Sequence, residues 1–395
     1  MSYFDELETR SADARNADQL AQLQRQVKRV QDGMGSCFPQ GEVHSVADLT
    51  QFPVLRKSTL SEWQAAQPPF GGVIMGEYDH VFQSPGPIYE PGGVGHDWWR
   101  FGRFLHAAGV NSSDVVHNCF GYHLTPAGMM FENGARAVGA KVLPAGTGQT
   151  ELQVRAALDI GCTAYAGTPD YLKVILDKAD EMGVSLAFTK ACVSGGALFP
   201  ALRQAYADRG ISCLQCYGTA DLGHIAFESD AMEGMILDEG VIVEIVTPGT
   251  GDPVAEGEVG EVVVTSLNPD YPLIRFATGD MSAFMSGTSP CGRTGKRIKG
   301  WMGRADQTTK IKGMFVRPEQ VAELVKRHDE IARARVIATR NGDADAMTVQ
   351  IEAPEGADYA DSVQAVLKLR GAVEIMPIGT LPQDGVLIED KRSYD

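Results

Sequence analysis

Apolar positions recur at helical spacing through the opening of the chain: residues 3–31 are rich in Leu, Ala, Arg, Gln and Glu, and the pattern predicts one or two amphipathic helices. Residues 46–57 predict a short helix followed by a turn at Pro53. From Val73 the period changes. Strand-like apolar stretches at 115–120, 141–145, 164–167, 190–193 and 212–216 alternate with helix-like ones at 98–108, 127–138, 152–160, 171–182 and 201–209, which predicts an α/β fold with a mostly parallel sheet in layers with helices. Between Glu239 and Ser266 the runs 241–245 and 259–265 are separated by Gly, Pro and Asp turns and predict an antiparallel, β-barrel-like region. The last stretch predicts a small α+β unit: a strand at 308–311, a helix at 318–327, strands at 333–339 and 346–352, a helix at 360–369 and a terminal strand.

Composition narrows the setting. A chain of 395 residues exceeds what one hydrophobic core usually serves, so two domains or more are expected, and the change of pattern past Gly303 divides them as 1–303 and 304–395. A formal net charge of −16 opposes a nucleic-acid or anionic-membrane partner, either of which wants a basic face. The N-terminus has no apolar leader and no later stretch has the apolar length of a membrane span, so a cytoplasmic protein is expected. Seven cysteines without framework spacing suit reduced thiols. Cys213 and Cys216 have CxxC spacing and could join Cys291 or His224 around zinc, but with no second such motif the favoured reading is of small apolar core residues.

Four clusters carry candidate chemistry. Residues 300–320 set Arg304, Asp306, Lys310 and Lys312 between Gly303 and Gly313, with Pro318 placed to open a helix, which marks a site or a hinge. Arg275-Phe-Ala-Thr-Gly-Asp280 puts a carboxylate after a glycine turn, suited to accepting two hydroxyl bonds. Tyr217-Gly-Thr-Ala-Asp221 and Ser194-Gly-Gly-Ala197 each follow an apolar strand, where α/β sheets bind ligands. Singly, each is more often a solvated loop or a chain turn.

In order and wording, these clusters resemble the adenylate-forming acyl- and aryl-CoA ligases, most of all the phenylacetate-CoA ligase branch. The likeness extends to Tyr3-Phe-Asp-Glu-Leu-Glu-Thr-Arg10, Pro53-Val-Leu-Arg-Lys57, Phe120-Gly-Tyr-His-Leu-Thr-Pro126, Ala145-Gly-Thr-Gly148 and Gly167-Thr-Pro169. It implies a large N-terminal domain and a small mobile C-terminal one, a homodimer, and three participants, ATP with Mg2+, a small carboxylic acid and coenzyme A. The acid would first form an acyl-adenylate, then a thioester with release of AMP. It also implies roles. Asp280 binds the ribose hydroxyls with help from Arg304; Gly195, Gly196 and Ala197 border the adenine and acyl pocket; Tyr217 and Gly218 pack on the base. The phosphate-binding hydroxyl is lost or moved to Thr219, Asp221 holds magnesium, Asp306 is the hinge, and Phe120, Tyr122 and Pro126 shape an acyl pocket.

The departures all fall on the phosphate side. The loop that should be rich in Ser, Thr and Gly and end in lysine reads Gln83-Ser-Pro-Gly-Pro-Ile-Tyr-Glu-Pro91, with Glu90 at the lysine's place, where it would repel a triphosphate. The usual Thr-Glu pair is Ala220-Asp221, and Val386 stands where the adenylation lysine is expected, with Lys391 out of register. In some members, zinc ligands follow the Tyr-Gly motif; here Ser229 and Met235 stand at two of those places and only Cys291 remains, so zinc is not expected. Two readings follow: a ligase in which Lys310, Lys312 or another cation compensates, or a homologue that has lost adenylation and transfers or hydrolyses a CoA thioester or adenylate. A third is a non-catalytic nucleotide- or CoA-binding protein.

Overall fold

Ser11 starts the first long helix: its side chain accepts the Ala14 amide, and α1 (Ala12–Met34) follows, burying Leu23, Val27 and Val30. The polar segment before it is anchored by buried ion pairs, Arg10 and Arg15 to Glu239 and Arg293 to Glu8. The computed structural model describes residues 3–35, 38–84, 88–196, 198–302, 305, 309–316, 318–328, 330–341, 344–354, 356, 358–382 and 386–392. The chain divides into two compact units, Met1–Met302 and Gly303–Asp395. Among the described residues no helix is long and apolar enough to cross a membrane.

In the first unit, α2 (Lys57–Ala66) leads to a hairpin of β1 (His80–Ser84) and β2 (Ile88–Gly92). Then α3 (Gly102–Ala107), β3 (Val115–Asn118), α4 (Ala127–Ala137), β4 (Lys141–Pro144), α5 (Thr150–Ile160), β5 (Ala164–Gly167), α6 (Pro169–Glu181), β6 (Lys190–Val193), α7 (Pro200–Asp208) and β7 (Ser212–Thr219) alternate. Proline at the first turn of α6 and α7 fixes their starts, because its missing N–H is one that no helix would use there. Next come β8 (Gly223–Phe227), β9 (Met235–Leu237), β10 (Val241–Val246), β11 (Gly260–Ser266), β12 (Phe276–Ser282), β13 (Phe284–Met285) and β14 (Arg297–Ile298).

Nine of these strands form one sheet in the order β13-β14-β9-β8-β7-β6-β5-β3-β4. It is parallel from β4 through β7 and antiparallel from β7 through β13. Strand alternation fills both faces: Ala164, Ala166, Cys192, Leu214 and Cys216 pack with Phe104 and Phe131 on one side, Tyr165, Ala191, Val193 and Cys213 with Leu172 and Ile175 on the other. The expected barrel-like region is a three-stranded antiparallel sheet, β10-β11-β12. The hairpin and β8, β9, β13 and β14 had no sequence-based expectation; β13 and β14 are two residues long and show no resolvable period.

The second unit begins with a hairpin of β15 (Thr309–Ile311) and β16 (Met314–Val316), then α8 (Pro318–Lys326), β17 (Arg333–Asn341), β18 (Ala344–Glu352), α9 (Ala360–Leu367), β19 (Ala372–Met376) and β20 (Ile388–Asp390). The four-stranded sheet runs β19-β18-β17-β20, and Val336, Val349 and Ile351 of its strands pack with Val321 and Leu324 of α8 and Val363 and Leu367 of α9.

Candidate active site

β7 is the middle strand of the nine-stranded sheet, and Tyr217 near its carboxyl end donates from its hydroxyl to Asp280 Oδ2 of β12 at 2.8 Å. The bond joins the large sheet to the three-stranded one. Asp280 Oδ1 accepts from the Trp301 indole at 3.0 Å. Gly218 has a structural reason to lack a side chain: a Cβ there would come within 2.7 Å of the Gly223 carbonyl, because β7 and β8 approach closely at an irregularity in their register. Thr219 accepts the Leu222 amide on its hydroxyl at 3.1 Å and so shapes the β7–β8 turn. Arg275, in the same motif as Asp280, is buried and structural, with its guanidinium on Glu244, Phe52 O and Gly251 O.

The β7–β8 turn carries Asp221, whose side chain is almost fully buried. Lys57, the first residue of α2, places Nζ 3.1 Å from Asp221 Oδ2 and keeps about half its side chain in solvent. It is held there by backbone: the Leu55 amide donates to Arg275 O at 2.8 Å and the Ala277 amide to Leu55 O at 2.9 Å, which binds the start of α2 to β12. Asp221 Oδ1 is buried with no hydrogen-bond partner.

Beside this pair lies Glu90, and its placement corrects the expectation that it would face a triphosphate. Glu90 sits on β2 with 0% of its surface exposed. Burial, reinforced by the charge of Asp221, pushes its carboxyl up to about 8, while Ser84 of the same hairpin and Lys57 draw it down. Neither oxygen meets a partner in hydrogen-bonding geometry, and the Tyr271 hydroxyl, whose acidity is suppressed by burial and by the same two acids, is also unpartnered. At neutral pH Glu90 is therefore mainly in its neutral form. Lys57 is the functional candidate that the sequence reading missed; it lay within the quoted Pro53-Val-Leu-Arg-Lys57, but nothing local shows which acid it meets.

Asp221 offers magnesium a single unpartnered oxygen, and among the described residues no three His, Cys, Asp or Glu side chains are placed to hold a metal. Such a site fits an ion that brings its remaining ligands as water or nucleotide phosphate oxygens. Cys213 and Cys216 point to opposite faces of β7 and belong to separate cores, so CxxC spacing on a strand cannot bring them to one zinc. Burial pushes the Cys213 thiol up to about 12.

Gly195 and Gly196 are exposed after β6, and Gly195, at φ +71°, needs the left-handed backbone. A Cβ on Gly195 would lie 3.9 Å from the Phe120 ring, so these two predicted residues are neighbours. Phe120 itself is buried and stacked on Phe131 at 4.3 Å between centroids. Tyr122 accepts a bond from Asn118 Nδ2 at 2.8 Å, and its acidity is suppressed by burial and by Glu132. Pro126 is buried where α4 begins. The three acyl-pocket candidates thus share one β3–α4 loop.

In the second unit Lys310 and Lys391 are exposed. Arg392 Nη1 donates to the Lys310 carbonyl at 2.9 Å, which sets the segment bearing Lys391 beside β15. Lys391 pairs with Glu389 at 3.4 Å. Ala197, Arg304 and Asp306 lie outside the described residues.

Residues 98–268 match the AMP-binding enzyme family. The phenylacetate-coenzyme A ligase of Aromatoleum evansii is 28% identical over 376 residues, covering 88% of this chain and 84% of that one. That of Thermus thermophilus is 29% identical, covering 90% and 85%. The fold is that of a 2-hydroxyisobutyryl-CoA ligase solved with its acyl-AMP and CoA, at a TM-score of 0.81 and 23% identity, covering 98% of this chain and 92% of that one. Residues 98–268 are thus similar to AMP-binding enzymes, and most of the chain is similar to phenylacetate-CoA ligases.

Proposed function

We propose that the protein is an AMP-forming acyl- or aryl-CoA ligase acting on a small, aromatic carboxylic acid. The acid's carboxylate attacks the α-phosphorus of ATP, releasing pyrophosphate; the thiol of coenzyme A then attacks the acyl carbon, releasing AMP. The observation that carries the reading is the Asp280 carboxylate, held by Tyr217 at the carboxyl end of the central strand, where it suits a ribose diol. The name shared by the curated relatives supports the thioester product.

On this reading each part has a role. Asp280 orients the nucleoside, the bare backbone of Gly195 and Gly196 admits a flat ring, and Lys57 presents the exposed cation of the Asp221 cluster. Magnesium, brought with ATP and met by Asp221, would offset charge on the departing pyrophosphate. Roles for Ala197, Arg304, Asp306, Lys310 and Lys391, a mobile small unit, a homodimer and a cytoplasmic location belong to the same proposal.

The test is pyrophosphate release with ATP, magnesium and a panel of aryl acids, followed by thioester formation on adding CoA. Acid-dependent release is the expected result. A second reading is favoured by Val386, which stands where a cation is expected: adenylation is lost and a preformed adenylate or thioester is the substrate. Absence of release with every acid, alongside AMP or CoA-thioester binding, would overturn the first reading in favour of the second. Binding of neither leaves a non-catalytic role.

A further inference from the structure

Among the described residues, donors from two different parts of the fold meet Asp280. Tyr217 reaches Oδ2 from β7, and Trp301 reaches Oδ1 from the segment after β14. That segment is itself fixed along β12: the Lys299 amide donates to Ala283 O at 2.9 Å, the Ser282 hydroxyl to Gly300 O at 2.7 Å and the Met302 amide to Met281 O at 2.9 Å. Gly300 takes φ +93°, a left-handed turn in the backbone just before Trp301. Trp301 is 38% exposed, so it borders solvent while its indole N–H is directed to Asp280.

We propose that Trp301 is a specificity-determining positioning residue: together with Tyr217 it fixes the plane of the Asp280 carboxylate so that both hydroxyls of a ribose are recognised. A carboxylate has about four acceptor directions, two on each oxygen. Trp301 bonds to Oδ1 and Tyr217 to Oδ2, and the two hydroxyls of a vicinal diol likewise address both oxygens. The terminal carboxylate torsion is soft and roughly two-fold, so the side chain's own rotamer preference holds the plane only loosely. Two anchors on opposite oxygens restrict that rotation before the nucleotide arrives, and preorganisation of this kind favours a ligand that bonds to both oxygens over one that bonds to a single oxygen. Trp301 touches Asp280 and acts on the nucleotide through it.

The inference rests on Asp280 being the ribose site. Its readout is the ratio of dissociation constants for 2′-deoxy-AMP and AMP, measured by calorimetry on the full chain. A bond to a charged acceptor sets that ratio at about 10-fold or more in the wild type. In Trp301→Phe the ratio is expected to fall several-fold, mainly through weaker AMP binding. An unchanged ratio, or equal weakening of both nucleotides, overturns the inference while leaving the ribose site in place. Wild-type protein that binds neither nucleotide overturns the nucleotide reading, and this inference with it. Trp301→Leu, checked by thermal melting, serves if the Phe variant does not fold.

Discussion

Lys57 Nζ lies 3.1 Å from Asp221 Oδ2, one half-exposed ammonium serving two buried acids, Asp221 and Glu90. Glu90 is a buried acid on β2, and the cation beside it comes from the start of α2.

Lys57→Met is expected to lower stability, because Asp221 keeps its buried charge and loses its counter-ion. Fully buried pairs cost about 3–5 kcal/mol when broken; with Lys57 half in solvent, about 1–2 kcal/mol is expected. Urea melts of Lys57→Met, Asp221→Asn and the double variant check this through their coupling. Additive effects would show that the pair contributes nothing. Acid-dependent pyrophosphate release should fall in Lys57→Met and recover in part in Lys57→Arg.

Glu90 gives the protein a pH dependence of definite sign. Its native carboxyl titrates near 8 and its unfolded one near the ordinary carboxylate value, so the native state binds the extra proton. Its contribution to stability is fully present below the unfolded value and lost as pH rises through about 8. Glu90→Gln keeps the shape and removes the titration. The variant is expected to match the wild type near pH 5 and to melt several degrees higher near pH 9, since each unit of separation carries about 1.4 kcal/mol before relaxation reduces it. A constant difference in melting temperature across that range would assign the alkaline loss to another group.

Asp280→Asn replaces an acceptor pair with one acceptor and one donor, and is expected to weaken AMP binding about 10- to 100-fold, the loss of one or two charge-assisted bonds. Tyr217→Phe should weaken it less, because the carboxylate remains. Calorimetric titration with AMP measures both. Equal affinity in wild type and Asp280→Asn would dissolve the ribose assignment.

How much of this could be read in the chain differs between fold and site. The β3–α4–β4–α5–β5–α6–β6–α7–β7 run was legible because each strand is a short apolar stretch and each helix a longer periodic one; 164–167 and 190–193 match β5 and β6 residue for residue. β12 was not, since Phe276–Ser282 contains Thr, Gly, Asp and Ser and owes its strand to pairing with β11 rather than to propensity. In the site, Asp280 and Tyr217 could be named from their motifs, but their mutual bond, 63 residues apart in sequence, could not. Glu90 shows the limit most clearly. Its residue type suggested repulsion of phosphate, while burial makes it neutral.

Val386 marks where the two enzymatic readings part. It lies just before β20 and, with Arg333 and Arg335, lines a shallow groove of the small unit. Both arginines already have acids, Arg333 with Glu352 at 3.2 Å and Arg335 with Glu389 at 3.5 Å, so a lysine added there meets a locally balanced field. Val386→Lys should therefore fold, at a cost within about 1 kcal/mol. If the protein adenylates slowly for want of this cation, the variant is expected to raise acid-dependent pyrophosphate release by up to about 10-fold, part of the 10²–10³ that one well-placed donor supplies. A wild-type rate that the variant leaves unchanged would mean that another lysine, Lys310 or Lys391, already serves. If the wild type is inactive and the variant releases pyrophosphate, adenylation was lost at this position and the rest of the site still supports it.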